Sequence, residues 1–378
     1  MTRTDATTVS APIQSEDERF MRAALALGRR GMGVTAPNPA VGCVVVQGQG
    51  EDARIVGRGW TARGGRPHAE TVALAKAGAA ARGATAHVSL EPCSHHGGTP
   101  PCVDALIAAG VARVVTSIDD PDPRVAGRGH QRLREAGVAV TTGVLAAEAR
   151  KAHAGFLSRI TRGRPHVILK LAISSDGKIA AAGQAAPNLI TSPQARARGH
   201  LIRARADAIM VGMGTVRADD PELTCRLPGL EDRSPIRVVL GTGDRLPAGC
   251  RLLDTLAASP VWLFTTATGE GAAAGVRVET LPAGPSGGVD LAAALGRLAA
   301  LGVNTLMVEG GARLAGALVE ADLVDEAMLF MAPEPIGAGG LDALGHRPLG
   351  DITDSPRFRA CGEMALGRDR LIAYERAR

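Results

Sequence analysis

Short apolar runs alternate with longer amphipathic stretches along most of this chain, and the alternation predicts strands and helices taking turns. SEDERFMRAALALGRRG, residues 15–31, opens on serine, carries acidic residues in its first turn and stops at glycine, which predicts a helix. VGCVVVQ (41–47) is a continuous apolar run that reads as a buried strand, and RIVGRGW (54–60) reads as its hairpin partner. PHAETVALAKAG (67–78) has proline to open a helix and glycine to close it. ATAHVSL (84–90) is a strand running into EPCSHHGGTPPC (91–102), and CVDALIAAG (102–110) is again a helix. RVVTSI (113–118), HQRLREAG (130–137) and VAVTTGV (138–144) continue as strand, helix and strand. Strands alternating with helices imply a layered α/β/α sheet.

The pattern breaks over KAHAGFLSRITRGRPH (151–166), which is basic and carries glycine and proline. It resumes as the strand HVILKLAIS (166–174), the helix SPQARARGHLIRARA (192–206) and the strands DAIMVGMGT (207–215), PIRVVLG (235–241) and VWLFTT (261–266). LAAALGRLAALG (291–302) and ARLAGALVEA (312–321) read as helices, NTLMVEGG (304–311) and LVDEAMLFMAP (323–333) as strands. The expected organisation is a disordered tail over 1–15, an α/β domain over 16–150, a linker over 151–165 and a second, strand-richer α/β domain over 166–378. A length of 378 residues agrees with two domains.

Composition narrows the possible functions. Aromatic residues are 2% of the chain, two Trp, one Tyr and five Phe, so base stacking on aromatic platforms has little material. The formal charge of +5 is spread along the chain without a basic block, which argues for a solvated arginine-rich surface and against a polynucleotide partner. It would equally suit small molecules bearing phosphate. No segment is apolar over the length a bilayer or a signal peptide requires, so neither a membrane nor secretion is expected, and the cytoplasm is. Six cysteines in a reducing compartment should stay reduced, and cysteines close in sequence then suggest metal binding or catalysis.

Those chemistries meet in one place. His68-Ala69-Glu70 is followed by Pro92-Cys93 and Pro101-Cys102. A zinc-dependent deaminase needs three protein ligands, one position left for water and a nearby carboxylate that moves protons without ligating. His68, Cys93 and Cys102 are the expected ligands of one zinc ion per chain, and Glu70 the expected proton carrier. At the mouth of a helix His68 and Glu70 can reach the same small volume, whereas residues two apart in mid-helix diverge. Cys102 opens a helix, where free backbone N–H groups favour a thiolate. Zinc so held lowers the pKa of a water molecule from about 16 toward about 7. The competing reading is a closed structural zinc site with His95 or His96 as fourth ligand, for which Glu70 would have no use. Eight residues, SHHGGTPP, separate the two cysteines where the general pattern has two, and this polar, glycine-rich spacer is suited to the rim of a site for something other than a plain nucleoside.

Eight segments in order, PNPAVGCVVV, GRPHAET, EPCSHHGGTPPC, DPDPRVAGRG, LKLAISSDGKIA, ITSPQAR, ADDPELT and VEGGARLAGAL, resemble the bifunctional deaminase/reductases of riboflavin biosynthesis. The resemblance covers nearly all of the chain from about residue 18. It implies a cytidine-deaminase-like α/β/α sandwich followed by a dihydrofolate-reductase-like α/β domain. The first would remove the 2-amino group of 2,5-diamino-6-(5-phosphoribosylamino)pyrimidin-4-one. The second would reduce the ribosyl group to ribityl with NADPH, giving 5-amino-6-(5-phosphoribitylamino)uracil. His68, Cys93 and Cys102 fall on the family's zinc ligands and Glu70 on its proton shuttle. Asn38 would present its amide to the pyrimidine, although an ordinary turn asparagine is an equal reading from its flanking prolines alone.

By the same resemblance, Arg203, Leu223, Arg226 and Glu309 match substrate-binding positions, the two arginines toward the substrate phosphate. Ala172, Leu189, Thr215, Asp219, Thr242 and the run Gly311, Ala312, Arg313, Leu314, Ala315, Gly316 and Ala317 match cofactor-binding ones. Asp219, in RADDPEL, is equally readable as a turn residue. VEGGARLAGAL by itself reads as strand, Gly-Gly turn and helix start, a plausible phosphate cradle. The match departs at Pro187 and Leu189, where members of the family often have serine and tryptophan. A homo-oligomer acting on a phosphoribosylated pyrimidine, with no nucleic-acid or membrane partner, is the expected assembly. The alternative is a nucleic-acid base deaminase with an appended binding domain.

Overall fold

The computed structural model describes residues 15–181, 190–243, 245–267 and 273–377. The expected tail (except Ser15), Pro187 and Leu189 lie outside these. The chain divides into two compact units, Met1–Gly31 with Ala40–Ala152, and Met32–Pro39 with His153–Arg378.

In the first unit the helices are α1 (Glu16–Gly28), α2 (Ala69–Ala77), α3 (Cys102–Ala108), α4 (Arg128–Glu135) and α5 (Ala146–Ala152). Its strands are β1 (Gly42–Gln47), β2 (Arg54–Trp60), β3 (Thr85–Val88), β4 (Arg113–Thr116) and β5 (Ala139–Thr141), in sheet order β2-β1-β3-β4-β5. β1 pairs antiparallel with β2 and β3, and β4 runs parallel to both β3 and β5. The Ser15 hydroxyl caps α1 by accepting from the Glu18 amide, as its sequence predicts. α2 can lie close on β2 because Gly57 and Gly59 have no side chains: a Cβ at either would strike the carbonyls of Ala73 or Ala69.

The second unit adds α6 (Ala154–Arg162), β6 (His166–Ile173), β7 (Lys178–Ala180), α7 (Pro193–Arg203), β8 (Ala208–Gly212), α8 (Met213–Asp219) and β9 (Ile236–Gly241). It continues through α9 (Arg251–Asp254), β10 (Val261–Thr265), β11 (Val276–Thr280), α10 (Leu291–Ala300), β12 (Thr305–Val308) and α11 (Ala312–Glu320). Last come β13 (Glu326–Met331), β14 (Leu341–Asp342), α12 (Gly350–Thr353), β15 (Phe358–Leu366) and β16 (Asp369–Arg376). Nine strands form one sheet in the order β11-β10-β9-β8-β12-β6-β13-β16-β15, with β7 and β14 paired apart from it. The strands from β11 to β13 are parallel, and β16 with β15 closes the edge antiparallel. Leu169, Phe264, Leu306 and Leu329 belong to the core cluster on one face of this sheet, and Ile209, Val239, Leu263 and Met307 to that on the other. Covered on both faces, parallel strands read as apolar runs, which is why they were legible.

Three differences from the expected elements have physical causes. The stretch 151–165, expected to be a linker, is helical over Ala154–Arg162 and ends on Gly163 in the left-handed region, φ 64°. Its basic residues are spent within the second unit: Arg162 pairs with Asp325 and Arg159 donates to Asn304. DAIMVGMGT is not one strand, since β8 stops at Gly212 and Met213 begins α8. Beyond residue 333 the pattern predicts nothing, and there the antiparallel pair β15–β16 is held by pairing with β13, a long-range cause that local periodicity does not carry.

Candidate active sites

The helix start at α2 and the helix start at α3 converge in the first unit. His68 is the N-cap of α2, Glu70 lies in its first turn, and Cys102 is the first residue of α3. Cys93 stands in the loop after β3. His68 Nδ1 lies 3.3 Å from Cys102 Sγ and 3.6 Å from Cys93 Sγ, and the Cys102 amide donates to Cys93 Sγ at 3.3 Å. Tetrahedral zinc with the usual Zn–S and Zn–N lengths requires S···N separations of about 3.6 Å, so this nitrogen and two sulfurs fit a zinc ion. Glu70 is 4% exposed, and burial first, then the charge of Cys93, raises its carboxyl to about 7. Of the cysteine pair, Cys93 gives up its proton first, because the Cys102 thiol hydrogen-bonds to it and the Cys102 amide assists. His95 and His96 do not join the cluster, which among the described residues consists of His68, Cys93 and Cys102.

Glu91, two residues before Cys93, fixes that loop. Its buried carboxylate accepts from the amides of Asp120, Gly127, Gly129 and His130. The second group of possible ligands, Glu91, Asp119 and His130, is therefore built around a carboxylate already occupied by four backbone donors. No periodicity marks Glu91; its only signal is its place beside Pro92-Cys93. Asn38 lies in the segment that packs with the second unit, where its carbonyl accepts from Asn304 Nδ2 at 3.3 Å.

The second unit gathers charge at the C-terminal ends of its central strands, where parallel sheets open a crevice. Glu309 follows β12 directly, one residue beyond the Val308–Leu169 pair, and Lys170 follows Leu169 on the neighbouring β6. Lys170 Nζ donates to Glu309 Oε1 at 2.9 Å, and Arg203 donates to Oε2 through Nε at 2.8 Å and Nη2 at 2.6 Å. Burial alone would raise the Glu309 carboxyl, but Arg203 and Lys170 outweigh it and hold it well below the usual range. Arg203 sends its remaining nitrogen, Nη1, to the Thr224 carbonyl at 3.0 Å, so each of its three guanidinium nitrogens has a protein partner. Arg226, matched with it as a phosphate position, is exposed and touches Glu222 Oε2 at 3.1 Å and Thr224 Oγ1 at 3.3 Å through Nη1. His200 Nδ1 accepts the Arg226 amide at 3.3 Å; burial, with Arg203 and Arg226 nearby, keeps the ring down at about 4 and hence neutral at pH 7.

Around the same strand ends, Thr215 Oγ1 of α8 accepts the Gly311 amide at 3.1 Å, tying α8 to the N-cap of α11. Ala312 and Arg313 begin that helix, but Ala315 and Gly316 are packed inside, and a Cβ on Gly316 would strike the Leu344 carbonyl. Within the expected cofactor run only Arg313 is exposed; Gly311, Leu314 and Ala317 are half-buried, and Ala312 is buried like Ala315 and Gly316. Leu223 is 2% exposed in the core with φ 58°, so it has only main chain to offer a substrate. Ala172 is half-buried on β6, Asp219 ends α8 exposed, and Thr242 is exposed just after β9. Sequence reasoning missed Lys170, Glu91 and His200; the signal for Lys170 is a lone charge inside the apolar strand HVILKLAIS.

Residues 14–118 match the family model for the cytidine and deoxycytidylate deaminase zinc-binding region, and residues 165–350 that for the RibD C-terminal domain. Over 365 residues the chain is 43% identical to the riboflavin biosynthesis protein RibD of Escherichia coli K12, covering 91% of this chain and 95% of that one. This chain belongs to the RibD family. The RibD of Aquifex aeolicus is 38% identical over 96% of this chain and 99% of its own. RibD of Acinetobacter baumannii superposes with a TM-score of 0.83 at 33% identity, covering 96% of this chain and 99% of that structure. A Thermotoga maritima structure described as a diaminohydroxyphosphoribosylaminopyrimidine deaminase/5-amino-6-(5-phosphoribosylamino)uracil reductase gives 0.83 at 32% identity, with the same coverage. As a RibD, the protein is a bifunctional riboflavin-biosynthesis enzyme, joining a zinc-dependent deaminase with a cytidine-deaminase-like fold to an NADPH-dependent reductase. No helix among its described residues is long and apolar enough to cross a membrane.

Proposed function

We propose that the first unit deaminates 2,5-diamino-6-(5-phosphoribosylamino)pyrimidin-4-one, and that the second reduces the ribosyl group of the product to give 5-amino-6-(5-phosphoribitylamino)uracil. The observation that carries the first half is the convergence of His68 Nδ1, Cys93 Sγ and Cys102 Sγ within 4.8 Å of one another, beside a buried Glu70. These three residues hold zinc, which when bound acidifies a water molecule. Glu70 accepts a proton from the water that attacks the amino-bearing ring carbon. It then delivers protons to the departing nitrogen, so that water enters and ammonia leaves.

In the second unit NADPH, when bound, supplies the hydride for the sugar carbon. Thr215 and the start of α11 at Gly311, Ala312 and Arg313 form the main contact for it, with Ala172, Asp219 and Thr242 around the same strand ends. Leu189 is kept as a further contact of this cofactor. Lys170 holds a proton beside Glu309, where the opening sugar ring needs one on its oxygen. Arg203 positions Glu309, while Arg226, supported by His200, carries the substrate phosphate. Leu223 contributes main chain, and Asn38 remains a candidate contact for the pyrimidine.

Apart from Asn38, the division of labour follows the units, with 153–165 counted into the second. The enzyme works in the cytoplasm as a homo-oligomer, without nucleic-acid or membrane partners; seven of the nine residues of edge strand β15 are exposed, which supports self-association. Incubation with the diaminopyrimidine phosphoribosyl substrate, with and without NADPH, tests the reading. Ammonia and the deaminated compound should form in both cases, and the ribityl product only with NADPH. Absence of ammonia from a zinc-loaded sample would reject it, and sedimentation decides the oligomer.

A further inference from the structure

We propose that Arg66 is the phosphate anchor of the deaminase site, laid flat on Gly97 and Gly98 of the spacer between Cys93 and Cys102 so that its Nε–Nη2 edge faces the phosphate of the substrate. The proposal rests on the phosphoribosylated substrate assigned above.

Arg66 stands two residues before His68, and the spacer over 94–101 joins the other two ligands. Its Nη1 donates to Thr99 Oγ1 at 2.6 Å. A Cβ on Gly98 would lie 3.3 Å from both Cζ and Nε and 3.6 Å from Nη1, and one on Gly97 would lie 3.2 Å from Nη2. Near-equal distances to three atoms of a planar group mean that its face, not its tip, rests on the spacer. The missing side chains of these two glycines are what make the seat. The far end of the spacer is held as well: Arg132 donates to the Ser94 carbonyl at 2.8 Å and is itself paired with Asp104. A guanidinium between a fixed loop and a zinc ligand is therefore pre-positioned.

The remaining edge of this guanidinium is the informative part. Arg132 has Asp104 and Arg113 has Asp17, but among the described residues no carboxylate pairs with Arg66. Nε and Nη2 form the side-on fork that takes two oxygens of a phosphate at once. A second polar group comes to the same place. His95 Nε2 lies 4.0 Å from the point above Gly97 that Arg66 Nη2 approaches, and His95 Nδ1 is buried without a partner among the described residues. A phosphate in this seat would lie at the rim of the zinc site, leaving the pyrimidine to point inward toward Glu70. The eight-residue spacer then has a use that a plain aminopyrimidine would not require.

The test compares kcat/KM for ammonia release from the substrate and from its 5′-dephosphorylated form, in the wild type, Arg66→Gln and Arg66→Lys. Arg66→Gln should lower the ratio of the two by about ten- to a hundredfold, the size expected for losing charged hydrogen bonds. Arg66→Lys, which keeps charge but loses the fork, should fall between. Zinc content should match the wild type in both. An equal loss on both substrates would make Arg66 only a clamp for the spacer and overturn the proposal, as would an unchanged ratio. Should Arg66→Gln fail to fold, Arg66→Lys decides by the same ratio. A wild-type enzyme that releases ammonia from neither compound overturns the substrate assignment itself, and the role of Arg66 with it.

Discussion

Lys170 Nζ stands 2.9 Å from Glu309 Oε1 while Arg203 holds the other oxygen, so one carboxylate keeps two cations in place where β12 ends beside the middle of β6. Glu309→Gln would leave both cations facing a neutral amide in a half-buried crevice. Removing one partner from a buried charge cluster costs several kcal/mol, and we expect the reductase kcat to fall roughly a hundredfold or more. Ammonia release should stay near the wild-type rate. NADPH oxidation on the deaminated intermediate measures the first and an ammonia assay the second. A reductase kcat within threefold of the wild type would remove Glu309 from the mechanism.

The two arginines should separate kinetically. Arg226 is exposed and meets Glu222 and Thr224 through Nη1, which leaves Nε and Nη2 for a phosphate, so Arg226→Ala should raise the reductase KM by about tenfold or more with kcat little changed, the pattern of lost uniform binding. Arg203 spends its donors on Glu309 and the Thr224 carbonyl, so Arg203→Ala should act mainly on kcat. Steady-state kinetics with varied substrate at saturating NADPH distinguishes them. The opposite pattern would return the phosphate to Arg203.

The sequence showed the deaminase half more fully than the reductase half, and the reason is distance along the chain. His68, Glu70, Cys93 and Cys102 span two short motifs at helix starts, where proline and capping make local sequence sufficient. Lys170 and Glu309 are 139 positions apart, and only the parallel register of β6 with β12 makes them neighbours. Arg203 was legible as an important arginine, but its commitment to Glu309 was not, since that depends on where α7 ends against β12. The helix Ala154–Arg162 was hidden for a related reason. Its basic residues suggest solvent until Asp325 and Asn304 are brought beside them.

Thr215 should matter to cofactor binding through one hydrogen bond. Its hydroxyl accepts the Gly311 amide at the start of α11, the helix end best placed for an anionic cofactor group. Thr215→Val keeps the shape and removes the acceptor. A neutral hydrogen bond contributes about 0.5–1.5 kcal/mol, so the NADPH Kd should rise roughly two- to tenfold. Fluorescence titration of NADPH reads this directly, and an unchanged Kd would show that Thr215 does not order that turn.

The wild-type protein should carry about one zinc per chain, and Cys93→Ala or Cys102→Ala should lose it. Glu70→Gln should retain the metal and abolish ammonia release while sparing reduction of the deaminated intermediate. Metal analysis beside both activity assays checks this. Zinc retained by both cysteine variants would refute the ligand set, and full turnover by Glu70→Gln would refute its role in proton transfer.

Asp325 should make the second unit sensitive to acid. Its carboxylate is 4% exposed and accepts from Arg164 at 2.6 and 2.8 Å, Arg162 at 2.8 Å and the Val167 amide at 2.9 Å. Burial alone would raise it, but Arg164, the charge of His166 and the Val167 amide bring it down to about 2. The folded value lies below the unfolded one of about 3.9, so the ionised form is favoured by folding. That stabilisation is fully present above about pH 4 and is lost as pH falls toward about 2, an effect on the order of 2 kcal/mol. Asp325→Asn should lower the urea midpoint at pH 7, and its deficit against the wild type should narrow between about pH 4 and about pH 2. With Trp60→Phe as background, Trp262 of β10 is the remaining tryptophan and reports the second unit alone. A deficit that stays constant across that acid range would mean that the Asp325 charge contributes nothing to folding.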